Sequence, residues 1–119
     1  MSSFKNILIV DDDPEIALLL KRLLTTLVPA EINMKYSIND ASTHLSQAAP
    51  DLAFVDINLG DGIGYSLVPN LLRNEKARVI IMSATGQPDE EQTVKHHGAH
   101  YFLKKPFTLN DVKHALSHT

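Results

Sequence analysis

Asn6-Ile-Leu-Ile-Val10, running straight into Asp11-Asp-Asp-Pro14 and then into Glu15-Ile-Ala-Leu-Leu-Leu-Lys-Arg-Leu-Leu-Thr-Thr-Leu-Val28, is the stretch that decides the fold. Its first five residues form a nearly continuous apolar run of strand length, the reading of a strand buried on both faces. The next four mark a helix start, with Asp13 as N-cap and Pro14 at the first helical position, where its missing N–H costs nothing. From there Ile16, Leu19, Leu20, Leu23, Leu24 and Leu27 fall on one stripe at helical spacing, which predicts a helix over Pro14–Val28. A strand that enters a helix through an acidic turn is one βα unit, and the rest of the chain repeats it.

Further runs of strand length are Ile32–Tyr36, Leu52–Ile57, Arg78–Met82 and His100–Leu103, and helical spacing recurs over Asp40–Ala49, Tyr65–Asn74, Asp89–His97 and Leu109–Ser117. Pro50, Gly64, Pro88, Gly98 and Pro106 punctuate the pattern. Five strands alternating with five helices predict a single α/β domain over residues 1–119, a doubly wound five-stranded parallel sheet with helices on both faces and right-handed crossovers. Ligands of such sheets bind outside the carboxyl ends of the strands, so the residues just after each strand are the functional candidates.

Composition narrows the classes. With 119 residues, 44% hydrophobic and 21% charged, the chain is an ordinary globular domain able to build its own core. It has no cysteine, which excludes thiol chemistry and disulfides. A formal charge of −3 argues against direct nucleic-acid binding or docking on an anionic membrane. The apolar run Ile7–Val10 is too short for a signal peptide or a membrane span, so the expected compartment is the cytoplasm.

At the strand exits stand Asp11, Asp12 and Asp13, then Asp56, then Ser83, then Lys105 before Pro106. Taken singly these are ordinary residues: Asp13 serves as a cap, an aspartate after a strand suits a turn, and Lys105 has an equal neighbour in Lys104. Their joint placement predicts carboxylates, a hydroxyl and an ammonium at one edge, a set of hard oxygen ligands suited to Mg²⁺ sharing its site with phosphate. Elsewhere, Gly60-Asp-Gly-Ile-Gly64 lacks the spacing of a dinucleotide or P-loop motif and reads as a mobile loop. His96-His97 with His100 is a weak zinc pattern, and most of the six histidines read as solvent-facing. Pro88-Asp-Glu-Glu91 reads as an acidic first helical turn.

Four motifs in order, Leu8-Ile-Val-Asp-Asp-Asp-Pro14, Asp51-Leu-Ala-Phe-Val-Asp-Ile-Asn-Leu59, Val79-Ile-Ile-Met-Ser-Ala84 and Gly98-Ala-His-Tyr-Phe-Leu-Lys-Lys-Pro-Phe107, give the chain a resemblance over nearly its whole length. It resembles the receiver domain of two-component response regulators. The resemblance implies a flavodoxin-like strand order 2-1-3-4-5. It makes Asp56 the phosphoacceptor and nucleophile, taking a phosphoryl group from the phosphohistidine of a sensor histidine kinase or phosphotransfer protein, or from a small donor such as acetyl phosphate. Mg²⁺ would be held by Asp12, Asp56 and the main-chain carbonyl of Asn58, with Asp11 acting through water. Lys105 would pair with a phosphoryl oxygen, next to a cis bond to Pro106. Ser83 and the aromatic Phe102 would act as the switch, remodelling the surface of helix 4, strand 5 and helix 5 for a downstream effector or a C-terminal output domain. The resemblance makes the chain a switch that catalyses only its own phosphorylation and dephosphorylation, and leaves homodimerisation on phosphorylation open.

Some positions depart from the family pattern. Ser83 replaces the commoner threonine, Gly60 the usual proline, and Ile63 a small polar or acidic residue, which implies a loop after Asp56 more flexible than usual. Phe102 replaces a tyrosine, and Asn58 and Thr85 stand where the family tunes phosphate lifetime. A haloacid-dehalogenase-type phosphatase would need a second aspartate two residues past Asp56, where this chain has Asn58. A degenerate receiver serving as an unphosphorylated interaction module would not require intact Asp11, Asp12, Asp56, Ser83 and Lys105.

Overall fold

The structure, a computed structural model, describes residues 4–85 and 90–119. Its main sheet is built from β1 (Asn6–Val10), β2 (Glu31–Lys35), β3 (Leu52–Asp56), β4 (Arg78–Ser83) and β5 (Tyr101–Lys104), all parallel, in the order β2-β1-β3-β4-β5. The flavodoxin-like doubly wound α/β architecture anticipated from the alternation is the one observed. The register sets the carboxyl edge: Val10 stands opposite Val55, Asp56 opposite Met82, and Ser83 opposite Lys104. Residues one step further on therefore leave the sheet side by side.

Alternation along each strand splits the core into two layers. Ile7, Ile9, Leu52, Phe54, Ile80 and Met82 pack with Ala17, Leu20 and Leu24 of α1 (Pro14–Leu27) and with Val112 and Ala115 of α5 (Leu109–Ser117). Leu8, Val10, Ala53, Val55, Val79 and Ile81 pack with Ala41 of α2 (Ile38–Leu45), Val68 and Leu71 of α3 (Val68–Leu71) and Val94 of α4 (Glu90–His96). Burying each of the larger side chains contributes about 1.5–3 kcal/mol, so the two layers supply most of the driving force.

The helix starts follow from their caps. Asp13 accepts from the amides of Glu15 (3.0 Å) and Ile16 (3.5 Å), with Pro14 opening α1. Ser37 Oγ accepts from the Asp40 amide at 3.0 Å and starts α2 two residues earlier than expected. Thr108 and Asp111 form a reciprocal capping box on α5. Gly98, at φ 89°, ends the α4 segment in the left-handed conformation glycine favours. The acidic first turn of α4 holds Glu90 and Glu91, while Pro88 and Asp89 lie outside the described residues.

Several expectations need correction. Leu19 is 44% exposed and off the stripe, because at about 100° per residue it sits a third of a turn from the Leu20–Leu24 line, and Ala17 takes its place. β2 covers Glu31–Lys35 rather than Ile32–Tyr36, leaving Tyr36 exposed. The third helix is only a 3₁₀ turn, Gly64–Leu67, followed by α3, because the chain turns at Leu72–Asn74 where only short-range bonds such as Asn74 N–H to Leu71 O (3.4 Å) remain. The glycine-rich stretch expected as a mobile loop is instead the tip of a two-residue antiparallel hairpin, Asn58–Leu59 against Gly62–Ile63. Asp61 fastens it to α2 by accepting from the amides of Ile38 (2.8 Å) and Asn39 (3.0 Å). Among the described residues, no helix is long and apolar enough to cross a membrane.

Candidate functional site

Asp11 leaves β1 fully buried. Its amide bonds to Lys35 O (3.1 Å), and its Oδ1 accepts from the Asp13 amide (2.9 Å), so the backbone turn into α1 orients the carboxylate. Asp11 Oδ2 lies 2.6 Å from Lys105 Nζ, and no other donor reaches that oxygen among the described residues. Asp56 ends β3 only 7% exposed, its Oδ2 3.4 Å from the same ammonium. Asp12 is exposed beside them, and one oxygen from each of Asp11, Asp12 and Asp56 can be chosen so that all three lie within 4.8 Å of one another.

The electrostatics follow from that crowding. Burial raises the pKa of Asp56 above the ordinary carboxylate value; Lys105 offsets part of the shift, while Asp11 and Asp12 add to it. Burial works against the Lys105 ammonium, yet the hydrogen bond and charge of Asp11, joined by Asp56, outweigh it and hold its pKa above normal. One ammonium thus serves carboxylates that outnumber it. The excess negative charge and the under-bonded Asp11 Oδ2 suit a hard divalent cation with oxygen ligands, so the residues present fit Mg²⁺.

The other expected residues lie around this centre. Lys105 follows β5, its amide bonded to Ser83 O (2.8 Å) and its bond to Pro106 cis; neighbouring Lys104 is exposed. Ser83 is 2% exposed at the end of β4, with its Oγ 3.1 Å from Thr85 Oγ1 and accepting from the Thr85 amide at 3.2 Å. Asn58 is exposed at the start of the hairpin. Phe102 is half-buried on β5, packed against the layer that carries α2, α3 and α4.

Sequence reasoning missed two supports of this edge. Gly64 packs so closely behind Asp56 that a Cβ there would collide with the Asp56 carbonyl oxygen and with Val55, and its amide donates to Ile57 O at 2.6 Å. The only signal was a glycine eight residues past the strand end. In the sequence Asp61 is merely part of a glycine-rich loop, yet two backbone amides hold its carboxyl below the ordinary range. The histidines are mostly exposed as expected, but His44 is half-buried and so is His100. His100 Nδ1 accepts from the Val79 amide (3.0 Å), and burial, then Arg78, lower its pKa. His96, His97 and His100 form no metal cluster; among the described residues the three aspartates are the only group of three or more such ligands.

The sequence matches the response regulator receiver domain family over residues 7–117. Response regulator GtcR of Aneurinibacillus migulanus is 36% identical over 103 residues, covering 87% of this chain and 42% of GtcR. The chain spans 42% to 48% of the length of the first curated relatives it matches. A two-component response regulator from Clostridium difficile shares the fold at a TM-score of 0.84 and 23% identity, covering 95% of this chain and 93% of that one. So does a response regulator from Burkholderia pseudomallei carrying a phosphorylated aspartic acid and a calcium ion, at a TM-score of 0.83 and 24% identity, covering 94% of this chain and 66% of that one.

Proposed function

Because the chain belongs to the response regulator receiver domain family of two-component systems, we propose that it is a phosphorylation-activated signalling switch whose phosphoacceptor is Asp56. The observation that carries this reading is Lys105 set between buried Asp11 and Asp56 at the sheet's carboxyl edge. A carboxylate oxygen of Asp56 attacks the phosphorus of a kinase or phosphotransfer phosphohistidine, or of acetyl phosphate. The new O–P bond forms as the old P–N or P–O bond breaks, and the electron pair leaves with the donor. Catalysis here is positioning and charge compensation, since the nucleophile and the incoming group are both anionic.

Asp12, Asp56 and the Asn58 carbonyl would hold Mg²⁺, with Asp11 acting through water; when bound, the ion offsets the negative charge that Lys105 alone leaves uncompensated. Lys105 shifts from its bond to Asp11 toward a phosphoryl oxygen. Ser83 leaves Thr85 to donate its hydroxyl to another. Phe102 follows inward, and the surface of α4, β5 and α5 passes the change to an effector or an attached output domain. The phosphoryl group can bias this switch only by its differential affinity for the two arrangements. The aspartyl phosphate and bound cation of the B. pseudomallei protein support the chemistry. We place the receiver over residues 1–119, acting in the cytoplasm.

Incubation with Mg²⁺ and acetyl phosphate, followed by intact-mass measurement, tests the assignment. The native chain should gain one phosphoryl group and Asp56→Asn none. No gain with acetyl phosphate, phosphoramidate or a phosphorylated kinase, or a gain that survives Asp56→Asn, overturns it.

A further inference from the structure

The geometry points to a second metal site, remote in chemistry from the carboxylates: we propose that His114 and His118 on α5 chelate a divalent transition-metal ion of the Zn²⁺ class. The two residues are one helical turn apart, so their side chains leave the same face. Both are exposed, and their rings stack with centroids 3.9 Å apart and an interplanar angle of 27°. Tyr101 on β5 stands 6.2 and 6.3 Å from the two ring centroids, a wall that confines the pair on the protein side and leaves the other side to solvent.

A second observation concerns which nitrogens are free. His118 Nδ1 lies 2.9 Å from the His114 carbonyl oxygen, which can only accept, so Nδ1 carries the proton and Nε2 keeps its lone pair. A ring N–H held by a main-chain carbonyl is the arrangement that orients metal-binding histidines and raises their basicity. Among the described residues, the His114 ring makes no such bond that must break before it ligates. A tetrahedral ion with N–metal bonds of about 2.05 Å needs its two nitrogens roughly 3.3 Å apart and both lone pairs aimed at it, so the rings, stacked at 3.9 Å, must turn out of their stack on binding, a rotamer change open to two exposed side chains.

Position adds to this. α5 ends at Ser117 with His118 as its C-cap, so the pair sits at the helix end whose unpaired carbonyls attract cations. Imidazole suits zinc, copper and nickel and is a poor ligand for Mg²⁺, so the two sites divide the metals by ligand hardness. Two protein ligands leave the remaining coordination positions to water.

The test is titration of the whole chain with Zn²⁺, and separately with Ni²⁺, in excess Mg²⁺ to fill the carboxylate cluster, following binding heat and the ring resonances of each histidine. Native protein should bind one ion, with Ni²⁺ broadening His114 and His118 first. His114→Gln and His118→Gln should each weaken binding at least tenfold, and the double change His96→Gln with His97→Gln should leave it intact. Unchanged affinity in both single variants, or broadening confined to His96 and His97, overturns the site. Circular dichroism of each variant separates lost ligation from lost folding.

Discussion

Two sets of aspartates occupy this small molecule, and their surroundings differ. Asp13, Asp51, Asp61 and Asp111 are each met by backbone amides: Asp51 by Lys5 (3.0 Å) and Asn6 (3.1 Å), Asp61 by Ile38 and Asn39, and the other two at helix starts. Asp11, Asp12 and Asp56 face one another instead; one oxygen of Asp11 takes the Asp13 amide (2.9 Å), but its other oxygen and Asp56 depend on a single ammonium. Between Asp61 and Asp56 the pKa moves in opposite directions, down where amides supply donors and up where burial and like charge accumulate. A carboxylate satisfied by the backbone is consumed in holding the chain. One left short of donors keeps its capacity for a ligand.

The largest expected effect comes from removing the shared ammonium. Lys105→Ala leaves Asp11 and Asp56 buried without their cation, and should cost on the order of 3 kcal/mol in denaturant unfolding as well as slowing phosphorylation. Lys104→Ala, on an exposed side chain, should change stability by no more than about 0.5 kcal/mol. Equal effects would erase the distinction between the two lysines.

Removing the excess negative charge should act the other way. The folded-state pKa of Asp56 is raised, so the cost of its charge is absent below the ordinary value of 3.8, grows as pH rises through the raised value, and is complete above it. In metal-free buffer at neutral pH, Asp56→Asn should therefore raise Tm by about 4 °C, the shift of about 1 kcal/mol in a domain of this size. The gain should shrink toward nothing as pH falls to the ordinary carboxylate range. A variant less stable than the native chain at neutral pH would place Asp56 with the satisfied set.

The smallest effect is local. Asp61→Ala should speed hydrogen exchange at Ile38 and Asn39 with little change in global unfolding. Because the Asp61 pKa is lowered, the native protection should persist above the ordinary value and fade as pH drops through the lowered one. Unaltered exchange at both amides would show that the clasp does not hold α2.

The fold was legible because its signals are local and repeated: buried strands read as runs of Ile, Leu, Val and Phe, and Asp13-Pro14 marks a helix start. The site was legible because parallel strands deliver their exits to one edge, so Asp11, Asp56 and Lys105 could be grouped before any distance was known. The glycine hairpin was not, since it depends on Asp61 meeting amides more than twenty residues away in sequence. Leu19 misled because leucine has the same helix propensity on either face, and packing alone decides which is covered. His100 looked like a surface histidine, but its Nδ1 answers an amide of the neighbouring strand. Long-range hydrogen bonds of this kind leave no periodicity to read.

The central claim is that Asp56 carries the phosphoryl group, and borohydride trapping addresses it at a single residue. Reduction of an aspartyl phosphate leaves homoserine, which peptide mass mapping locates. After incubation with Mg²⁺ and acetyl phosphate, homoserine should appear at position 56 and nowhere else. Homoserine at Asp11, Asp12 or Asp61, or intact aspartate at position 56 in protein that has gained a phosphoryl group, would contradict the account.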